Sequence, residues 1–165
     1  MRKLLWMSMV FTVLWSCKKT EAVTEEPESE VLVFNYQKLP TKLTLNPEAT
    51  TIVESWEEFK ALTASIDVLY KATNNEDLSL AIDDLIEKEK LMAGGTYPEL
   101  FNAFQVKSRQ QVLRTYLYMV KSKILENQET TEPTIEMMEA YNALRKQLNI
   151  IVNSQLDKNL ILDEK

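Results

Sequence analysis

The chain has no histidine, one cysteine and two glycines in 165 residues. Each shortage removes a class of protein. Without histidine the commonest general base and the commonest metal ligand are gone, and with them Ser-His-Asp triads and di-iron sites built on Glu-x-x-His. A single cysteine, Cys17, permits no disulfide within the chain. The glycines, Gly94 and Gly95, are adjacent. An all-β protein with many tight turns would need more, so helices joined by few turns become the leading class. Basic residues are outnumbered 19 to 25, for a net charge of −6, and no basic cluster is present. Phosphate contacts need clustered Lys and Arg, so nucleic acid is excluded as an expected partner.

A membrane-spanning hydrophobic run is also missing. After Arg2 and Lys3 comes an apolar segment, 4–15, interrupted only by Ser8 and Thr12. As a helix it spans about 18 Å, well short of the roughly 30 Å hydrocarbon core. It has the length and flanking charge of a signal-peptide core. It ends on Leu14-Trp15-Ser16-Cys17, which resembles the lipobox of bacterial lipoprotein signals. Leu14 and the small Ser16 fit that pattern, and Trp15 is a bulky departure from it. The resemblance implies that 1–16 is removed, that Cys17 is diacylated on sulfur and that the new amine is acylated. The alternative is an ordinary secretory peptide beside a free thiol, against which stands the lack of any partner cysteine. Two or more acyl chains hold a protein firmly where one is marginal, because each buried CH₂ contributes about 0.8 kcal/mol. Loss of Arg2 and Lys3 leaves 17 basic residues against 25 acidic ones, a mature charge of −8. The body should therefore not adhere to an anionic membrane by itself.

Residues 18–30, KKTEAVTEEPESE, carry charge and almost no apolar bulk. Such a segment cannot offset its ordering entropy and reads as a disordered tether with a reach of about 20 Å. In well-studied lipoproteins an Asp after the cysteine favours inner-membrane retention, so Lys18 points to the outer membrane. The domain is expected to begin at 31. Val31, Val33, Leu43 and Leu45 alternate around Pro40, as in an extended arm or a short β-hairpin that buries Val33, Phe34 and Leu43 against helices.

Four helices are predicted behind it. Asn46-Pro47-Glu48 is a start signal, and Ile52, Trp56, Phe59, Leu62, Ile66 and Leu69 make one apolar stripe on a first helix ending near Ala72. Ser55 and Glu58 offer a second possible capping box. Helix two runs from about Glu76 to Met92, capped by Asn75 and stopped by Gly94, with Leu78, Ile82, Leu85 and Met92 inward. Asp83, Asp84 and Glu87 are read as a solvated face, because one helix turn supplies too few convergent oxygens for a hard cation. The linker with Tyr97, Leu100, Phe101 and Phe104 is too apolar to be free and should pack on the body. Helix three, about Ala103 to Glu126 with Asn102 as cap, carries Val106, Leu113, Leu117, Val120 and Ile124, widened by Val112, Tyr116 and Met119 to about 160°. Helix four opens at Pro133 and reaches about Gln155, with Met137, Tyr141, Leu144, Leu148 and Ile151 in a heptad-like seam. The expected fold is all-α: an antiparallel four-helix bundle over 31–165 with the N-terminal arm. In KSRQQVLRTYL and EAYNALRKQLNIIVN the body is similar to a group of small lipoproteins from Bacteroidota. That resemblance supports the fold boundaries and implies no activity.

Two sets of polar residues interrupt these faces. Arg109 lies about 40° from Leu113, inside the apolar arc of helix three. It reads either as an anion-recognising fork or as a structural ion pair, or a contact to carbonyls around Pro98 to Asn102. Asn142, Arg145, Asn149 and Asn153 form an amide-rich strip on helix four, flanked by Met138 and Leu156. They suit interhelical hydrogen bonds, a partner contact or a solvated face. With no catalytic inventory, the expected function is a non-enzymatic, lipid-anchored protein that binds an envelope protein. Its alternative is a small-anion carrier or sensor with a site between helices. No metal and no cofactor are expected.

Overall fold

The computed structural model of the chain describes residues 34–163, with side chains as far as Gln155. The signal segment, Cys17, the tether, Val31, Val33 and the side chain of Leu156 lie outside the described residues. What is described is all-helical, with five α-helices and no strand: α1 Pro47–Glu54, α2 Glu57–Leu69, α3 Asn75–Gly94, α4 Phe104–Leu125 and α5 Thr131–Asp163. Two single 3-10 turns, Tyr36–Lys38 and Glu99–Phe101, punctuate the connections.

The predicted first helix is broken in two. Asn46 caps α1 by accepting from the Ala49 N–H at 2.8 Å, with Pro47 in the first turn. The helix stops at Ser55, whose hydroxyl bonds back to the Ile52 carbonyl at 2.9 Å. Trp56 then leaves helical geometry, with φ −101° and ψ 85°, and α2 restarts behind it without a side-chain cap. The Ser55–Glu58 capping box does not form. The break places the largest side chain among the described residues in the core: Trp56 is 1% exposed and lies 5.2 Å from Phe59, 5.0 Å from Tyr97 and 6.2 Å from Phe101 between ring centroids. Burying an indole against three rings outweighs the hydrogen bonds given up at one helix break.

Other boundaries shift for local reasons. The cap of α3 is Asn74, which accepts from Asp77 N–H at 2.9 Å, while Asn75 is the first helical residue and receives the Phe34 N–H at 3.1 Å. Gly94 stays in the helix and Gly95 caps it with φ −85°, so neither glycine needs a left-handed backbone. Asn102 does not cap α4. That position falls to Ala103, which offers no side-chain bond, and Phe104 is exposed rather than packed. Its neighbour Phe101 fills the core instead. α5 starts two residues ahead of Pro133 because Glu129 accepts from the Thr131 and Glu132 N–H groups at 2.6 and 3.3 Å. Burial pushes the Glu129 carboxyl up, but those bonds outweigh it and hold its pKa below the ordinary value. No glycine or proline follows Pro133, and α5 runs on past Gln155 to Asp163.

The core lies where α2, α3, α4 and α5 meet. α4 packs on α5 and α3, α2 packs on α3, and α1 bridges α2 to α5. α4, the third predicted helix, packs on two neighbours as α3 does, and its buried arc is narrower than predicted, since Val112 and Met119 are each 39% exposed. Across the core, Tyr141 of α5 stacks on Phe59 at 6.5 Å and shares a hydrogen bond with Thr63 at 2.9 Å, joining α5 to α2. Ahead of α1 the chain forms no β-hairpin among the described residues. Phe34 is buried, Leu43 half-buried, and Leu39 and Leu45 pack on the core.

Candidate functional site

The amide strip of α5 is engaged by the chain's own leading segment. Asn142 accepts from the Leu43 N–H at 2.8 Å and donates to the Thr41 carbonyl at 2.9 Å. Asn149 repeats the pattern, accepting from the Asn46 N–H at 2.9 Å and donating to the Thr44 carbonyl at 3.1 Å. Each side-chain amide thus satisfies a donor at one residue and an acceptor two residues earlier, as a neighbouring strand would. The register has a simple cause. Seven residues of helix advance about 10.5 Å, and three residues of extended chain advance about 10 Å. Two asparagines a heptad apart therefore meet equivalent backbone groups three residues apart. Asn153 ends the ladder by accepting from the Asn46 side chain at 2.9 Å.

Arg145 lies within this ladder and is the buried cation that the sequence suggested at Arg109. It is 7% exposed, donates from Nε to the Leu43 carbonyl and from Nη1 to the Tyr141 hydroxyl at 3.2 Å, and lies 5.7 Å from the centre of the Tyr141 ring. No carboxylate of the described residues pairs with it. A carbonyl, a hydroxyl and a ring face share the charge.

The Arg109 side chain is exposed and makes no hydrogen bond or ion pair with the described residues. The reason is the setting of α4. Its buried residues Val106, Gln110, Leu113, Leu117 and Val120 centre about 20° from Leu113, on the side of Gln110 and away from Arg109. Gln110, 2% exposed, takes the buried polar place. The acidic trio of α3 is also accounted for: Asp83 pairs with Lys121 at 2.7 Å, Asp84 with Lys88 at 3.4 Å and the Ser65 hydroxyl, and Glu87 with Lys88 at 3.6 Å.

Gln110 opens onto a site that the sequence reading passed over. Glu89 of α3 is 1% exposed, a carboxylate that burial makes costly unless it is paired. Arg114 of α4 grips it with two bonds, Nε to Oε2 at 2.8 Å and Nη2 to Oε1 at 3.0 Å, and Gln110 Nε2 donates to Oε1 at 2.9 Å. The Tyr97 hydroxyl donates in turn to Gln110 Oε1. The hydrogen bond to Glu89 raises the pKa of Arg114, and burial raises that of Tyr97, with the Glu89 charge adding to it. Above this network is a cleft of about 500 Å³, lined by Thr96, Tyr97, Asn102, Lys107, Gln111 and Arg114 among others. Lys107 hangs 5.2 Å over the Tyr97 ring. The signal was present in KSRQQVLR. Lys107, Gln110, Gln111 and Arg114 are spaced i, i+3, i+4, i+7, a polar stripe of about 100° on one helix face. Reading α4 by its apolar members alone hides it.

No family model, curated protein or solved structure matches the chain.

Proposed function

We propose that this chain is a lipid-anchored, non-enzymatic binding protein of the bacterial envelope. In this reading 1–16 is cleaved, Cys17 carries the acyl chains, 18–30 is a tether, and the helical body is an antiparallel four-helix bundle of α2 to α5 held toward a protein partner, at the outer membrane rather than the inner. The observation that carries it is the end of the apolar run on Ser16-Cys17 in a chain with no second cysteine. The non-enzymatic part draws support from Glu89: its oxygens are tied to Arg114 and Gln110, bonds suited to a structural pair and ill suited to a group that must exchange a proton. For partner contact, Arg109 stands beside the half-exposed apolar stripe of Val112 and Met119 on α4, an arrangement suited to an interface rim. Asn142, Arg145 and Asn149 drop out of that role because the leading segment occupies them.

Replacing Cys17 with alanine tests the anchor. Produced in a bacterium with a lipoprotein pathway, the variant should leave the membrane fraction and lose metabolic acyl label. A variant that stays with the membrane defeats the proposal.

A second reading, a small-anion carrier or sensor, is favoured by the polar cleft at Lys107 and Arg114.

A further inference from the structure

The cleft between the C-terminal end of α3 and the first half of α4 has a charge balance that restricts what it can hold. Two cations, Lys107 and Arg114, line it, and no carboxylate does. Arg114 is already committed, since Glu89 takes its Nε and Nη2. Lys107 is not: it is exposed and its contact is the face of the Tyr97 ring. Lys107 is therefore the one uncommitted cation among the lining residues, while the Glu58 carboxylate lies close to Gly95, another of them. A second anionic group on a ligand would meet no free cation and would lose hydration without return.

The rest of the lining decides the body of the ligand. Gln110 has both ends of its amide bound, to Tyr97 and Glu89, so it forms a fixed floor and offers nothing further. Thr96, Asn102 and Gln111 are different. They are exposed, and their side chains make no hydrogen bond with the described residues. A hydroxyl and two amides can both donate and accept, which suits hydroxyl groups and suits apolar carbon poorly. The volume, about 500 Å³, falls within the roughly 300–1,000 Å³ of small-molecule sites.

We propose that this cleft binds a small hydroxylated monocarboxylate, a hydroxy acid or uronic acid, with Lys107 meeting the carboxylate and Thr96, Asn102 and Gln111 meeting the hydroxyls. The proposal rests on the reading of the chain as a binding protein and gives its second form a ligand class. The floor of Glu89, Gln110 and Arg114 is assembled before the ligand arrives, so little ordering cost falls on binding.

The test is a titration of the purified full-length chain in detergent micelles, followed by backbone amide chemical shifts. D-glucuronate, D-glucose, acetate, succinate and inorganic phosphate are the probes. Glucuronate should shift Gly95, Thr96 and the amides of 107–114 and saturate by about 10 mM, while each of the others binds at least about tenfold more weakly. Lys107→Ala should weaken glucuronate by about tenfold or more with the melting temperature unchanged, and Gln111→Ala should weaken it by a smaller factor. The proposal is overturned by an absence of saturating shifts with glucuronate, by equal binding of any other probe, or by binding that survives both substitutions. Failure here leaves the anchor untouched, because the titration does not depend on acylation, and failure of the Cys17 test leaves the cleft untouched.

Discussion

Replacing Trp56 with alanine lowers the unfolding free energy by about 3–5 kcal/mol, the range for deleting a large buried ring. Trp56 is 1% exposed and touches rings from three parts of the chain: Phe59 in α2, Phe101 in the 3-10 turn and Tyr97 beside the cleft. The cavity left there adds to the lost transfer free energy, because the surrounding rings refill it only in part. Trp56→Phe should cost clearly less. It keeps a ring in the stack, and it removes an indole N–H that is buried without a hydrogen-bond partner among the described residues. Urea denaturation followed by circular dichroism separates the two. A loss below about 1 kcal/mol for the alanine variant would place Trp56 outside the core.

The second large effect is local. Asn142→Ala combined with Asn149→Ala should loosen the leading segment on α5 at Leu43 and Asn46 while Arg145 and Asn153 still hold it and the helices stay folded. The Leu43 and Asn46 N–H groups both donate to these side chains. Their hydrogen-exchange protection should fall by about 10–100-fold, equivalent to roughly 1.4–2.8 kcal/mol. The Thr41 and Thr44 carbonyls lose their donors too, but both residues are exposed and water replaces the bonds. Amides in the buried part of α4, such as Leu117, should keep their protection. Unchanged exchange at Leu43 and Asn46 would mean that the ladder does not hold the segment.

Much of the helical body was legible because burial imposes a 3.6-residue period on the sequence. The stripe Phe59, Leu62, Ile66, Leu69 and the seam Met137, Tyr141, Leu144, Leu148 are buried as their spacing predicts. What escaped depends on distant residues. The break before Trp56 answers to Tyr97 and Phe101, some forty residues away, and a single step of four, Ile52 to Trp56, fits an unbroken helix equally well. The strip Asn142, Arg145, Asn149, Asn153 stood out as polar, but its partner lies about a hundred residues upstream, and periodicity carries no information on pairing across that distance. Arg109 was misplaced because an angle of about 40° from one apolar residue does not say on which side of it the buried arc is centred. Glu89 did give a local sign, since it completes the four-three spacing of Leu78, Ile82, Leu85 and Met92, but that spacing says nothing of what would pair with it. Its burial is a consequence of Arg114 and Gln110 arriving on α4 to pair with it.

The most direct test of a lipid-anchored binding protein is the intact mass of the chain purified from the membranes of a bacterium that processes lipoproteins. The expected species is a polypeptide that has lost 1–16 and begins at Cys17, with added mass equal to a diacylglyceryl group and an amide-linked acyl chain. A polypeptide with Cys17 unmodified, whether or not the leader has been removed, would contradict the lipid anchor.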